Sequence, residues 1–319
     1  MTQADDIVVD AVSKPYGRHL ALDQVSLRVR SGSVFALLGP NGAGKSTLID
    51  ILCTIRAPDD GSAQVNGLDV VRQSRKVRRE IGVVFQDPTL DTRLTVRENL
   101  NFHGMVYQRG RADRHRRIDE LLALVELENW RDAVVRTLSS GMKRRLEIAR
   151  ALMHEPRVLF LDEPTVGLDA QARAGIWSYL DTLRKNRPLT VVVTTHYIDE
   201  VESCDHVSII DHGKIIAEGT PDALKADHGR LLVRARPASA AVGQAIRARH
   251  PGVLDGAGGL LLIPLDDPAA LDALQADFGP DLRHITIDQP SLENVFLSLT
   301  GRDLREGAPA SRRGRPNGR

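Results

Sequence analysis

The sequence has little cysteine, few aromatic residues and no long apolar run. Its 319 residues include two cysteines and only 4% aromatic side chains. Cys53 and Cys204 lie in predicted helical stretches without the close spacing of metal ligands, so we expect buried, reduced thiols rather than a disulfide framework or a zinc site. No apolar stretch reaches the roughly 18 residues of a membrane-spanning helix. The sequence therefore predicts that no segment of this chain crosses a bilayer.

The balance of positive and negative residues also limits the functions that the chain can have. Lys and Arg number 43 against 42 Asp and Glu, a formal net charge of +1. This balance argues against a nucleic-acid-binding surface spread over the protein. Residues 1–6 lack the basic and apolar regions of a secretory signal, so we expect a cytoplasmic protein. With 42% hydrophobic residues and a length above the roughly 150 residues of one domain, more than one packed core is expected.

The most informative stretch is a glycine-rich loop that follows the apolar residues 34–38. The loop and its continuation consist of Gly39, Pro40, Asn41, Gly42, Ala43, Gly44, Lys45, Ser46 and Thr47. Glycines let backbone N–H groups approach phosphates closely, while Lys45 contacts the β- and γ-phosphates and the Ser46 hydroxyl holds Mg²⁺. The N-terminal end of the following helix adds positive potential. The pattern predicts a nucleoside triphosphate site, and the alternative is a glycine-rich turn with a surface lysine.

A second apolar run, residues 158–161, ends in two carboxylates. This pattern is typical of a buried parallel strand that carries acidic groups at its C-terminal edge. Asp162 is predicted to hold Mg²⁺ through water, and Glu163 is predicted to polarise the attacking water. The alternative is a solvated acidic pair that follows a strand.

Residues 138–142 lie between these two sites and read Leu-Ser-Ser-Gly-Met before an amphipathic helical pattern. A serine and a glycine at the start of a helix form an anion-binding end, with Ser139 Oγ and the Gly141 N–H as donors. The stretch resembles the signature loop of ATP-binding cassette (ABC) proteins, whose commonest form is Leu-Ser-Gly-Gly-Gln. Ser140 and Met142 depart from that form, which leaves the turnover rate open. Taken alone, Ser139 fits an ordinary helix cap equally well.

Four further residues fall in the order that this resemblance implies. Gln86 resembles the glutamine of the loop that senses nucleotide and contacts the membrane subunit, and it is also assigned to Mg²⁺. Asp169 resembles the aspartate that crosses between subunits, His196 resembles the switch histidine on the γ-phosphate, and Tyr16 resembles the aromatic ring that stacks on adenine. The resemblance thus implies catalytic roles for Glu163, Gln86 and His196. Each residue also has an alternative: a structural glutamine or histidine, or a turn at Tyr16.

The predicted fold class is α/β: a P-loop NTPase of the ABC cassette type with a mixed and parallel sheet core. An antiparallel β subdomain precedes the core because residues 7–29 show alternating patterns. We expect the nucleotide-binding domain at residues 1–225, with an inserted helical subdomain at about 87–150. An accessory α+β domain is expected at residues 226–301. Residues 302–319 are rich in Arg, Gly and Pro and are expected to form a disordered basic tail.

The C-terminal region carries no catalytic motif. Its pattern predicts three strands and two helices in a two-layer module of the ferredoxin-like kind, followed by a helix that Ser291 caps. The Ser-Leu-Glu-Asn-Val-Phe stretch that begins at Ser291 resembles the ATPase subunits of bacterial drug exporters of the daunorubicin-resistance type. The resemblance implies a role in stabilising or regulating the ATPase dimer, and a simple core helix is the alternative.

Taken together, the resemblance implies an ATP-hydrolysing subunit that uses ATP and Mg²⁺ and powers export through a separate membrane permease. One chain has one P-loop and one signature loop, and the resemblance implies that they lie on opposite faces, so two copies are expected to meet head to tail as a homodimer. We expect the protein at the inner face of the cell membrane, with no nucleic acid partner. Two alternatives are a non-transport ABC ATPase and a regulatory nucleotide-binding module. The cargo is left open among a drug, a lipid, a polysaccharide and a cofactor-related metabolite.

Overall fold

A computed structural model describes residues 4–107, 109–186, 188–250, 252–265 and 268–300. Two compact units divide the chain between Glu218 and Gly219. The division lies seven residues before the boundary expected from the sequence, because the helix that begins at Pro221 packs against the last helix of the second unit. The expected C-terminal tail, residues 302–319, lies outside the described residues.

The first unit alternates strands and helices. Its strands are β1 (Asp5–Tyr16), β2 (His19–Arg30), β3 (Val34–Leu38), β4 (Asp60–Val65), β5 (Leu68–Asp69), β6 (Ile81–Val84), β7 (Val158–Asp162), β8 (Thr190–Thr195), β9 (His206–Asp211) and β10 (Lys214–Gly219). Its α-helices are α1 (Lys45–Leu52), α2 (Ser74–Glu80), α3 (Val96–Val106), α4 (Arg111–Leu124), α5 (Ser140–Ala151), α6 (Ala170–Asn186) and α7 (Ile198–Val201).

The central sheet has the strand order β10-β9-β3-β8-β7-β6, and its pairs from β9 to β6 are parallel. Strands β3, β7 and β8 are buried along their whole length, as continuous apolar runs predict for strands covered on both faces. The register aligns their carboxyl ends, since Leu38 pairs with Thr195 and Asp162 pairs with Thr194. The segments that follow these strands therefore emerge at one edge of the sheet.

A second, antiparallel sheet has the order β2-β1-β4-β5. Along β2, Val25, Leu27 and Val29 are buried and alternate with exposed residues, as a sheet with one packed face requires. These side chains join a core that also contains residues of β3 and α1. The expected antiparallel sheet beside a parallel core is confirmed.

Helices occupy the segment between β6 and β7. Helix α3 begins at a capping box in which Thr95 and Glu98 bond each other's backbone N–H groups. Ile118, Leu121 and Leu122 of α4 are buried, as the spacing of apolar residues predicts. Short 3₁₀ turns at Glu128–Trp130 and Val135–Thr137 then lead to α5.

The second unit contains α8 (Pro221–His228), β11 (Leu231–Pro237), α9 (Ala240–Arg249), β12 (Leu254–Asp255), β13 (Leu261–Leu265), α10 (Pro268–Phe278), β14 (Leu282–Asp288) and α11 (Leu292–Thr300). Its antiparallel sheet has the order β12-β13-β11-β14. From β11 to β14 this is the β-α-β-β-α-β connectivity of a ferredoxin-like module. The sequence prediction missed β12, which has only two residues.

Both cysteines are buried free thiols. They lie just beyond helix ends rather than within helices, since α1 ends at Leu52 and α7 ends at Val201. Burial raises the pKa of Cys53 well above its ordinary value and raises the pKa of Cys204 to about 12. Such thiols are inert at neutral pH.

Candidate active site

The loop between β3 and α1 is built around glycines. Gly44 has a φ of 110°, and a Cβ there would lie 2.4 Å from the Ala21 carbonyl oxygen. A Cβ on Gly39 would lie 2.3 Å from the Ile210 carbonyl oxygen. Any side chain at either position would force the backbone apart, so only glycine permits this tight turn.

Lys45 is the first residue of α1 and is only 4% exposed. Its Nζ donates to the Gly39 carbonyl at 2.8 Å and to the Pro40 carbonyl at 3.2 Å, and it lies 3.4 Å from Glu163 Oε1. Burial lowers the pKa of Lys45, and the Glu163 carboxylate opposes that shift. A buried ammonium with these partners is a cation held ready for an anionic ligand.

Asp162 ends β7 and is 6% exposed. Its Oδ1 accepts hydrogen bonds from Thr194 Oγ1 and, at 3.4 Å, from Ser46 Oγ. Burial raises the pKa of Asp162, while the two hydroxyl donors and Lys45 favour the ionised form. The structure thus brings together the hydroxyl and the carboxylate that the sequence assigns to Mg²⁺.

The Glu163 carboxylate contacts three polar side chains of the site. Besides Lys45, its carboxylate accepts from Gln86 Nε2 at 3.1 Å and lies 3.4 Å from His196 Nδ1. The hydrogen bond with His196 lowers the pKa of Glu163, and the charge of Lys45 acts in the same direction. The carboxylate is therefore ionised at neutral pH, as a group that accepts a proton from water must be.

A cavity of about 410 Å³ opens beside these groups. Its lining includes Tyr16, His19, Ala21, Asn41, Gly42, Gly44, Lys45, Ser46, Thr47, Gln86 and Glu163. Nine of these residues were expected at the nucleotide from the sequence. His19, which is exposed, and Ala21, which is buried, were missed, because the residue pattern of a strand does not mark which of its positions will line a cavity.

The signature residues do not line this cavity. Ser139 is exposed and caps α5, where its Oγ accepts from the Met142 N–H at 3.2 Å. Asp169 is likewise exposed and caps α6 by accepting from the Ala172 N–H at 2.7 Å. Gly141 sits close to α6, since a Cβ there would lie 3.1 Å from Ala172 Cβ.

Arg144 of α5 is a residue that the sequence reasoning missed. The residue is 6% exposed. Its guanidinium donates to the carbonyls of Pro164 at 2.7 Å, Phe85 at 2.6 Å, Asp162 at 3.0 Å and Glu163 at 3.3 Å, and to the Glu147 carboxylate at 3.0 Å. Arg144 therefore ties the signature helix to the backbone that carries Gln86 and Glu163. Arg144 and Glu147, two charged residues among the buried positions of α5, were the available signal.

The fold and the site together define a P-loop ATPase. The glycine cradle, the buried ammonium and the helix N-terminus suit a triphosphate. The Ser46 hydroxyl and the Asp162 carboxylate are the hard oxygen donors that suit Mg²⁺.

Sequence comparisons place this ATPase in a family. The ABC transporter family description matches residues 22–166. The daunorubicin resistance ATP-binding protein DrrA3 of Streptomyces coeruleorubidus is 41% identical over 308 residues, which cover 94% of this chain and 97% of the relative. The Nod factor export ATP-binding protein I of Mesorhizobium japonicum is 39% identical, with 95% and 89% covered. These matches extend into the second unit.

Solved structures agree with this placement. The chain is similar to cbiO1 from Clostridium perfringens, part of the ABC transporter complex cbiONQ, with a TM-score of 0.65, 32% identity, and 70% of this chain and 91% of the other covered. The dimeric ATP-binding cassette MJ0796, bound to ADP and Pi, gives a TM-score of 0.62 and 30% identity, with 67% and 98% covered. The chain belongs to the ATP-binding subunits of ABC transporters. The predicted family, fold class and ATPase activity are confirmed.

Proposed function

We propose that this chain hydrolyses ATP at the seam of a homodimer to power export through a separate membrane permease. The exposed positions of Ser139 and Asp169, outside the cavity formed by Lys45 and Glu163, support the two-copy arrangement. In a head-to-tail pair, each copy offers its α5 N-terminus to the γ-phosphate held by the other. The similarity to a dimeric cassette agrees with this proposal.

The observation that carries the mechanism is the convergence of Lys45, Gln86 and His196 on Glu163. Glu163 orients the attacking water and accepts its proton, and His196 contacts the γ-phosphate. Lys45 exchanges its carbonyl partners for phosphate oxygens when ATP enters. The tyrosine ring at Tyr16, which is 40% exposed at the cavity wall, stacks on adenine.

Mg²⁺ belongs to this site in our proposal. Ser46 and Asp162 would hold it, together with Gln86. The ion supplies charge stabilisation for the phosphoryl group that is transferred. The side chains and backbone of the site bind the triphosphate and orient the attacking water, and Glu163 holds the proton taken from that water.

Helix α3 offers a surface for the permease. Phe102, Met105 and Val106 are 60%, 47% and 60% exposed, an apolar group of the kind that marks a protein interface. No helix among the described residues is long and apolar enough to cross a membrane. We propose that the chain binds, at the cytoplasmic face of the membrane, to a permease that forms the path for the cargo.

The cargo proposed is a drug-like small molecule, a lipid or a saccharide. The relatives are named for resistance to daunorubicin and for export of Nod factor, and both matches cover more than nine-tenths of this chain. The coverage supports export rather than a non-transport role.

Glu163→Gln tests the proposal. The amide cannot accept the proton of the attacking water, so phosphate release should fall by at least about 100-fold. ATP should still bind, so Mg·ATP should convert the variant to a dimer in size-exclusion chromatography with light scattering. Glu128→Gln, an exposed position in the same unit, is the matched control. An unchanged hydrolysis rate, or a variant that stays monomeric with saturating Mg·ATP and its permease, would overturn the proposal.

A further inference from the structure

The sheet of the second unit has two different faces. Side chains that alternate along β11 and β13 divide between them. Val233 and Ile263 pack beneath α9 and α10 in the core of the module. Leu232 and Leu262 point to the other face, where Leu297 of α11 packs on them. Helix α11, which has nine residues, packs on this second face.

Helix α11 does not cover this face completely, and a cavity of about 160 Å³ remains between the helix and the sheet. The register explains its floor, because Leu254 pairs with Leu262 and Leu232 pairs with Pro264, which puts these side chains on one face. Three residues of α11 at helical spacing form the roof: Asn294, Leu297 and Ser298. Arg230 and Gly252 complete the lining.

Asn294 gives this apolar cavity one polar feature. The residue is 4% exposed, and its Nδ2 donates to the Gln289 carbonyl at 3.1 Å and to the Arg230 carbonyl at 3.4 Å. Two carbonyl partners fix the orientation of the amide, since only the nitrogen can donate. Among the described residues, no hydrogen bond reaches Oδ1. Asn294 lines the cavity, so its amide oxygen can accept a hydrogen bond from a ligand that carries a donor.

We propose that this cavity is a binding site for a small aromatic molecule that carries one hydroxyl or N–H donor. An apolar protein cavity of about 150 Å³ stays dry and takes up benzene, so the volume here suits one aromatic ring. The leucines contact the ring, and the donor bonds to Asn294 Oδ1. This site lies within the second unit and takes no part in ATP hydrolysis.

The test compares two ligands that differ only in the donor. Para-fluorophenol and fluorobenzene are titrated into the full chain and followed by fluorine NMR. Para-fluorophenol should bind saturably with a Kd of about 1 mM or tighter. Fluorobenzene should bind about fivefold more weakly, because it leaves Asn294 Oδ1 without a partner. Absence of saturable binding by the phenol, or equal affinities for both ligands, would overturn the proposal.

A pair of variants locates the site. Leu254→Trp should fill the cavity and weaken binding of para-fluorophenol at least tenfold. Leu271→Trp is the matched control, because Leu271 is also a half-buried leucine of this unit but packs on the opposite face of the sheet. Leu254→Phe, a smaller change, serves if the tryptophan variant fails to fold. Retained affinity in both Leu254 variants would reject this cavity as the site.

Discussion

The two cavities of this protein show opposite solutions to the problem of buried polar groups. The larger cavity, about 410 Å³, contains Lys45 and Glu163, each less than a tenth exposed and each facing the other. The smaller, about 160 Å³, is walled mainly by leucines and contains the amide of Asn294. Burying an ion is costly unless a partner compensates it. Charged groups are therefore concentrated in the cavity where charged ATP reacts. In the cavity of the second unit, the shape of the apolar wall selects the proposed ligand.

The contrast also concerns how far each site depends on its surroundings. Arg144 reaches the Glu163 site through backbone carbonyls of two different segments. Asn294 is fixed by the carbonyls of Gln289 and Arg230, and Arg230 itself lines the smaller cavity. A mutation remote from Glu163 can thus disturb the chemistry, whereas the second cavity should respond only to changes in its own wall.

We expect the largest effect from Lys45→Ala. This substitution removes the buried cation from the larger cavity and leaves the cavity of the second unit intact. Loss of a charge-assisted contact with the triphosphate should lower kcat/KM for ATP by about 100-fold and abolish ATP-dependent thermal stabilisation. Binding of para-fluorophenol should not change. Lys76→Ala, at an exposed position, is the control. Full ATP-dependent stabilisation of the Lys45 variant would contradict the site.

A smaller effect is expected from Arg144→Lys, which tests whether remote packing controls the charged site. Lysine keeps the charge but cannot reproduce a planar guanidinium with several fixed donors. We expect kcat to fall about tenfold with KM for ATP within about twofold, since positioning rather than binding is lost. Steady-state phosphate release measures both constants.

Arg145→Lys is the matched control for that experiment. Arg145 lies on the same helix but pairs with the exposed Glu126 at 3.1 Å, a surface contact of at most about 1 kcal/mol. If both variants lose activity equally, the loss reflects the helix and not the contacts of Arg144.

The last prediction concerns stability in acid, and asks whether a second buried ionisable cluster lowers the stability of the first unit. Burial lowers the pKa of His103 to about 3, and nearby His154 and Arg150 act in the same direction. Below the ordinary histidine value near 6.5, the unfolded chain binds this proton and the folded chain does not. The stability of the first unit should therefore be fully present above that pH and fall by up to about 1.4 kcal/mol per pH unit towards pH 3.

Tryptophan fluorescence during urea unfolding measures this effect. Both tryptophans, Trp130 and Trp177, lie in the first unit, so the signal reports that unit alone. His103→Phe should flatten the pH dependence, and His115→Phe, at an exposed position, should leave it as it is. A pH dependence that survives His103→Phe unchanged would reject the assignment.

Features that depend on contiguous residues were predictable from the sequence. The loop at Gly39, the strand that ends at Asp162 and the hydroxyl at Ser46 are local patterns, and local patterns dictate local geometry. The order of motifs then implied the family, which the comparisons confirm. The roles of the individual site residues stay predictions.

Features that depend on tertiary contacts were not predictable. Arg144 interacts with carbonyls at Phe85 and Pro164, which are 59 and 20 residues away in the sequence, and no periodic pattern encodes such distances. Strand β12 has two residues, too few for a period of two to be visible. The cavity beneath α11 arises because a short helix leaves part of a sheet uncovered, a property of lengths and packing rather than of any motif.

Glu163 also has an unusual backbone. Its φ is 44°, in the left-handed region that glycine adopts freely and that other residues occupy at about 1–3 kcal/mol of strain. Glycine at this position would relieve the strain while removing the carboxylate. With the role proposed for Glu163, the stability of the fold and the turnover of ATP therefore make opposite demands on this one residue.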